Sequence, residues 1–277
     1  MSNPPDLGKL QETARIIRHH IITSTTKAGS GHPSSSLSAV EILVALYYGG
    51  ILRHDPQRPD WPERDRFILS KGHACPVLYA VLAERGYFPL SWLETLRQLD
   101  SPLEGHPNML KVPGLEASSG SLGQGLSIGI GHALAARLDR RDYRVYVMIG
   151  DGESDQGQVW EAAMTAAKYK LENLTAILDY NKYQQTGPVS KVMPTLEPLA
   201  DKWRAFGWYP VEIDGHDLAQ VLATLDKVGS VKGQPQMIIA HTVKGKGVSY
   251  IEQDPVNKLH GVPLTPEQAA VALKEIG

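Results

Sequence analysis

Residues 144–152 read Arg-Val-Tyr-Val-Met-Ile-Gly-Asp-Gly, and the fold is decided there. The run Arg144–Ile149 is a short apolar stretch rich in β-branched and aromatic residues, the composition of a buried strand. It leads straight into the turn Gly150-Asp151-Gly152. Downstream, Leu174–Tyr180 (Leu-Thr-Ala-Ile-Leu-Asp-Tyr) predicts a second strand that ends at Asn181-Lys182, and Gln158–Leu171 between them has helical composition. Strand, helix, strand is a parallel crossover. Asp151 and Asn181 therefore fall at the carboxyl ends of strands, where open α/β sheets bind their ligands.

The residue types suit a metal and a diphosphate. Asp151 offers a hard anionic oxygen and Asn181 a neutral amide oxygen. Mg²⁺ takes a near-octahedral oxygen shell, uses one or two protein side chains, and leaves the other positions to phosphate and water. The flanking glycines permit a tight turn and let a diphosphate approach the backbone. The helix that follows would point its amino end toward the same place. Gly-Asp-Gly alone reads equally well as an ordinary loop. With the second strand and Asn181 in place, the metal-diphosphate reading prevails.

Composition narrows the class. The chain has 277 residues, 42% of them hydrophobic, enough for one large α/β domain. With 28 Lys and Arg against 30 Asp and Glu the net charge is −2, and no basic run stands out, so nucleic acid is not an expected partner. No apolar stretch is long enough to span a bilayer, and no membrane partner is expected. The amino terminus lacks the charged-then-apolar order of a signal peptide. Cys75 is the single cysteine, which excludes an internal disulfide or a cysteine-based zinc site and fits a reducing cytoplasm. It is expected to be a small buried residue rather than a nucleophile.

Outside the central unit, apolar spacing predicts helices over Leu7–Thr26, Ser36–Tyr48, Pro76–Arg85, Ser91–Leu99 and Leu122–Leu138. Further helices are expected at Leu196–Phe206, Leu218–Val228 and Pro266–Ile276. Strands are expected at Arg66–Ser70, Tyr209–Ile213 and Gln236–His241. Pro102–Ser121 and Lys244–Gly261 read as irregular. The result is a doubly wound, mainly parallel α/β sheet with helices on both faces. The glycines and alanines of Leu122–Leu138 predict close packing, against the sheet layers or another subunit.

Four histidines, His32, His73, His106 and His260, lie in Gly/Pro-rich breaks beside regular elements. A lone loop histidine is usually idle. The shared contexts, Gly-His-Pro twice and Lys-Gly-His once, mark these as a set able to bind hydroxyls and move protons near neutral pH. His19, His20, His54, His132, His216 and His241 carry no such signal and are read as structural.

These segments together resemble the amino-terminal part of transketolase. The resemblance rests on Gly31-His32-Pro33, Leu69-Ser70-Lys71-Gly72-His73, Gly105-His106-Pro107 and Gly120-Ser121-Leu122-Gly123-Gln124-Gly125. It continues through Gly150-Asp151-Gly152-Glu153, Gln158-Val159-Trp160-Glu161-Ala162 and Asp179-Tyr180-Asn181, and ends with Thr242-Val243-Lys244-Gly245-Lys246-Gly247 and Leu259-His260-Gly261. It covers nearly the whole chain in the family's order.

What the resemblance implies is a thiamine-diphosphate-binding fold, with residues 1–277 forming a single diphosphate-binding domain. Asp151, the Asn181 side chain and the Tyr183 carbonyl would hold Mg²⁺ on the diphosphate. Gly152 would contact the phosphates. Ser35, His73, Gly120, Ser121, Leu122 and Lys244 would line the cofactor, with Glu161 part of an acidic network near it. His32, His106 and His260 would face the sugar, with His260 also reaching the cofactor, and all four loop histidines would serve catalysis. The implied reaction transfers a two-carbon ketol unit from a ketose phosphate to an aldose phosphate. Thiamine diphosphate supplies the carbanion and electron sink.

The family's pyrimidine-binding domain, with the glutamate that activates the cofactor, and the domain after it have no counterpart before Gly277. The resemblance therefore implies a split enzyme. The partner subunit would carry those parts in a cytoplasmic complex, an α2β2 heterotetramer, inactive without that partner. A shortened piece of a longer chain is the competing explanation. Gln156 stands where the family commonly has a glutamate, which puts proton coupling between paired sites in doubt. Two other readings stay open: another thiamine enzyme, such as a deoxyxylulose-phosphate synthase or a 2-oxoacid dehydrogenase alpha chain, and a non-catalytic scaffold with the same fold.

Overall fold

The computed structural model describes residues 5–254 and 256–277. Its centre is a five-stranded sheet, every pairing in it parallel. The strands are β1 (Arg66–Leu69), β2 (Val145–Gly150), β3 (Leu174–Tyr180), β6 (Tyr209–Asp214) and β7 (Gln236–His241), in the spatial order β1-β2-β3-β7-β6. Two short strands, β4 (Tyr183–Gln184) and β5 (Gly187–Pro188), form a separate antiparallel hairpin just after β3.

Side-chain alternation along the strands divides the interior into two layers. Tyr146 and Met148 of β2 join one apolar layer, while Val145, Val147 and Ile149 join the other. Ile238 and Ala240 of β7 go with the first pair, and Met237 and Ile239 with the second. The first layer is covered by helices Leu7–Ala28, Val40–Tyr48, Cys75–Glu84 and Leu218–Gly229. The second is covered by Gln124–Leu138, Gly157–Lys168 and Leu199–Ala205. The step from β6 back to β7 reverses the direction of the earlier ones. Keeping one crossover hand then requires its helix, Leu218–Gly229, to lie on the opposite face from Gly157–Lys168, as it does.

The doubly wound sheet matches the sequence reading, with two differences. Ser91–Leu99 is not an α-helix: Leu90–Thr95 is a 3-10 turn, and Arg97 and Asp100 have positive φ. The helix expected over Ser36–Tyr48 is broken into Pro33–Leu37 and Val40–Tyr48. The helix expected over Gln158–Leu171 is found at Gly157–Lys168, and a 3-10 turn over Gly152–Asp155 separates it from the Gly150-Asp151-Gly152 turn. Its amino end is thus set back from Asp151.

The small residues of Gln124–Leu138 do pack closely, and they do so on the sheet. A Cβ at Gly129 would lie 2.5 Å from Val147 Cγ2, so only glycine lets this helix approach β2 as it does. Cys75 is 1% exposed, and burial pushes its thiol up to about 12, which leaves no thiolate at neutral pH.

Candidate functional site: a cleft at the carboxyl rim of the sheet

Four parallel strands end on one rim and deliver the polar residues there. β1 hands over Lys71 and His73, β2 Asp151, β3 Asn181, and β7 Thr242 and Lys244. Between them opens a cleft of about 340 Å³. Its lining includes His32, Ser35, His73, His106, His260, Gly120 and Leu122, together with Asp151, Gly152, Asn181 and Tyr183. A smaller hollow of about 200 Å³ adjoins it, shares Asn181 and Tyr183, and is bordered by Lys244.

Two residues expected at the cofactor lie elsewhere. Ser121 is exposed and lines neither hollow, although both its neighbours line the cleft. Glu161 is exposed on its helix because Val159, Ala162, Ala163 and Ala166 turn inward to the sheet, which sends position 161 outward. Glu161 lines neither hollow.

The floor of the cleft is an ion pair. Lys71 is 1% exposed and Asp179 is fully buried, and the Lys71 ammonium bonds the Asp179 carboxylate and the Ser35 carbonyl. Ser38 Oγ (2.6 Å) and Thr242 Oγ1 also donate to Asp179. Burial alone would raise this carboxyl, but the Lys71 charge and the three donors outweigh it and hold the group below its ordinary range.

Above the floor sits Asp151, 3% exposed and differently placed. Its Oδ1 accepts from the Gly152 amide at 2.8 Å, while its Oδ2 is buried and has no hydrogen-bond partner among the described residues. Burial first, and then the Asp179 charge, push Asp151 up to about 7, against the pull of the Gly152 and Lys182 amides and the Lys71 charge. A buried carboxylate oxygen left unpartnered is costly unless something compensates it, and a divalent cation would do so. Asn181, 6% exposed, offers Oδ1 at the same rim, where it accepts from the Tyr183 amide at 3.1 Å. Aspartate oxygen, amide oxygen and a cleft wide enough for phosphate and water fit Mg²⁺. The Gly152 amide is spent on Asp151, so that N–H is not free for a phosphate.

Glu153 ties the rim together. It is 2% exposed and accepts from Ser70 Oγ, the Gly123 amide (2.8 Å) and the Gly150 amide (3.0 Å). Ser70 Oγ in turn accepts from the Gly125 amide at 3.0 Å. One carboxylate thus fixes the ends of β1 and β2 against the start of helix Gln124–Leu138 and satisfies amides that the helix leaves free.

The histidines form a cluster. Ring centroids of His32 and His73 are 5.0 Å apart, of His32 and His260 5.4 Å, and of His73 and His260 5.7 Å. His106 lies beside Gly120, whose added Cβ would fall 3.2 Å from its ring. Burial lowers all four. It takes His32 to about 4 with help from Arg97, and His260 to about 3 with help from Lys244, while His73 falls well below its ordinary value and His106 is lowered too. The cluster is therefore neutral at pH 7, and each ring offers one donor and one acceptor.

Lys244 settles one tautomer. Burial pulls it down to about 8 against the opposing pull of Asp151, so at neutral pH it is still an ammonium. It donates to Asn257 Oδ1 and His260 Nδ1, both at 2.6 Å. An ammonium cannot accept, so His260 Nδ1 is the acceptor and its Nε2 carries the proton. Gly261 (φ +69°) lets the chain pass His32 closely, since a Cβ there would lie 2.9 Å from His32 Nε2.

Lys71, Glu153, Asp179 and the hairpin residues Gln184 and Gln185 were not assigned from sequence, yet they form the floor, tie or wall of the cleft. The legible signals were an Asp inside the apolar strand Leu174–Tyr180 and a Lys directly after β1, both out of place unless paired.

A family model described as transketolase, thiamine diphosphate binding domain, matches residues 10–277. The chain is 45% identical over 267 residues to the 6-deoxy-6-sulfo-D-fructose transketolase subunit SqwG of Clostridium sp. (strain MSTE9), covering 96% of both chains. It is 42% identical over 260 residues to an apulose-4-phosphate transketolase subunit from Phocaeicola vulgatus, covering 94% of this chain and 90% of that one. Transketolase from Campylobacter jejuni superposes with a TM-score of 0.91 at 33% identity, over 98% of this chain but only 43% of its own. The chain therefore spans nearly all of the subunit relatives and under half of the transketolase of known structure. It belongs to the transketolase family, as the family's thiamine diphosphate binding domain.

Proposed function

We propose that this chain is the diphosphate-binding subunit of a split transketolase. It would transfer a two-carbon ketol unit from a ketose phosphate to an aldose phosphate, and would be active only with a partner subunit that carries the pyrimidine-binding domain. The observation that carries the reading is the buried Oδ2 of Asp151, without a partner among the described residues, in the same cleft as Asn181 and four neutral histidines. Two relatives named as subunits match this chain over nearly all of their length, which favours a complex of separate chains.

In this reading Asp151, the Asn181 side chain and the Tyr183 backbone hold Mg²⁺ against the diphosphate. Bound thiamine diphosphate supplies the carbanion and electron sink. The chain's own groups bind and orient. Lys244 keeps the proton of His260 on Nε2, where it can donate to a sugar oxygen. His32, whose Nδ1 is buried without a partner, and His106 add further hydrogen-bonding atoms for hydroxyls. Several neutral donors and acceptors suit a hydroxylated two-carbon unit better than the decarboxylation of an oxoacid, which favours transketolase over the other thiamine enzymes. Residues 1–277 act as one domain. The assembly is a cytoplasmic α2β2 heterotetramer, and the lone, buried thiol of Cys75 is compatible with that compartment.

The deciding experiment is co-purification with the partner and assay with xylulose 5-phosphate and ribose 5-phosphate, with and without Mg²⁺. Ketol transfer by the pair, absent from either chain alone, supports the proposal. Carbon dioxide release from a 2-oxoacid, or full activity of this chain by itself, contradicts it.

A further inference from the structure

The loop after β7, Thr242 to Gly247, is held from two sides. Its front meets the cleft: Thr242 bonds Asp179, and Lys244 bonds Asn257 and His260. Its back meets a second group of polar residues that none of the cleft's chemistry explains. The Val243 amide donates to His216 Nε2 at 2.8 Å, and Arg18 Nε donates to the Lys246 carbonyl at 3.0 Å. His216 and Arg18 then converge on one carboxylate, Glu41, with His216 Nδ1 2.9 Å from its second oxygen. The three side chains are 9–11% exposed and come from three separate parts of the chain, two helices and the turn after β6.

The chemistry fixes the proton. A backbone N–H can only donate, so His216 Nε2 accepts and Nδ1 carries the hydrogen that goes to Glu41. We infer that His216 is a positioning residue: with Glu41 and Arg18 it clamps the back of the Thr242–Gly247 loop, so that Lys244 is held at His260. Lys244 sits between the two clamped backbone groups, Val243 N–H and Lys246 C=O. Its own span is otherwise tied to the Ser34 carbonyl by the Gly245 amide at 3.0 Å, and turned on itself by the Lys246 amide on the Val243 carbonyl (3.2 Å) and the Val248 amide on the Gly245 carbonyl (3.1 Å). Releasing Val243 frees the segment immediately before Lys244, and an ammonium that must meet His260 and Asn257 together tolerates little drift. The geometry of the clamp stands without any cofactor; its effect on cofactor binding rests on the proposed function.

The test compares the wild-type full chain with His216→Gln and His216→Ala. Glutamine can place an acceptor oxygen near the Nε2 position and so keep the Val243 bond, while alanine cannot. Amide exchange in the absence of cofactor should be accelerated at Val243 and its neighbours about tenfold in the alanine variant, the size of one lost hydrogen bond, and little in the glutamine variant. In the complex with the partner subunit, titration with thiamine diphosphate and Mg²⁺ should show about tenfold weaker binding for alanine, again with glutamine close to wild type. Should the alanine variant not fold, His216→Asn, which can reach Glu41 but not Val243, takes its place. Unchanged exchange overturns the inference. So does equal acceleration in both variants, or faster exchange with unaltered affinity. A complex of the wild-type chain with its partner that binds no cofactor contradicts the proposed function instead, and the exchange comparison still decides the clamp.

Discussion

Two buried aspartates, at or just beyond the ends of adjacent strands, have opposite fates. Asp179, on the floor of the cleft, has Lys71, Ser38 and Thr242 on its oxygens and is held below the ordinary carboxylate range. Asp151, one strand over and just beyond the end of β2, has one amide on Oδ1 and, among the described residues, no hydrogen-bond partner on Oδ2, and is pushed up to about 7. Both are buried, so burial does not separate them. Saturation does. A carboxylate whose partners all come from within the fold is part of the structure, and one left short of partners is kept for something the chain does not contain.

The contrast can be broken by substitution. Asp151→Asn should abolish Mg²⁺-dependent binding of thiamine diphosphate while leaving the cofactor-free chain as stable as before, or more so, because a costly buried carboxyl is neutralised. Calorimetric titration and thermal unfolding on the same sample check this; a strongly destabilised variant would make Asp151 structural after all. Lys71→Met should do the reverse. It strands a buried carboxylate and should lower the unfolding free energy by about 3–5 kcal/mol in denaturant titration. Unaltered stability would show that the floor is not held by this pair.

His260→Ala sharpens the same division between function and structure. In the complex with the partner, turnover should fall about 100-fold, the low end of what a positioned acid–base group contributes. The unfolding free energy should move by less than about 1 kcal/mol, since the ring lies on a cleft wall rather than in the core.

The smallest expected effect is in pH. His32 and His260 have folded values near 4 and 3, below the ordinary 6.5. Between those values the unfolded chain binds more protons than the folded one. Their contribution to stability is therefore complete above about pH 6.5 and is lost as pH falls through about 4 toward 3. Thermal unfolding of the double variant His32→Asn, His260→Gln should decline less steeply over that range than wild type. Parallel curves would mean the rings are solvated in the folded chain.

Much of this was legible in the chain itself, for identifiable reasons. β3 and β7 follow the sequence reading residue for residue because each is a short apolar run closed by polar residues. Asp151 and Asn181 could be placed because a parallel crossover sends consecutive strand ends to one rim. Ser91–Leu99 misled because its apolar spacing is helical while Arg97 and Asp100 take positive φ, which no periodicity shows. The β4–β5 hairpin escaped because two-residue strands carry no pattern. Lys71 and Asp179 are 108 positions apart, and His216 and Glu41 are 175 apart. Pairings of that range depend on the folded sheet order, so His216 looked unremarkable in a turn. Glu161 was expected in an acidic network near the cofactor, and it faces outward on this chain, a placement set by which side of its helix meets the sheet.

The most direct test of the central claim is a crystal structure of the chain soaked with thiamine diphosphate and Mn²⁺ in place of Mg²⁺, read at the manganese absorption edge. One anomalous peak should appear bonded to Asp151 Oδ2 and Asn181 Oδ1, with the diphosphate completing its shell. Cofactor density elsewhere in the cleft, or bound cofactor with no metal between those two side chains, would contradict the account.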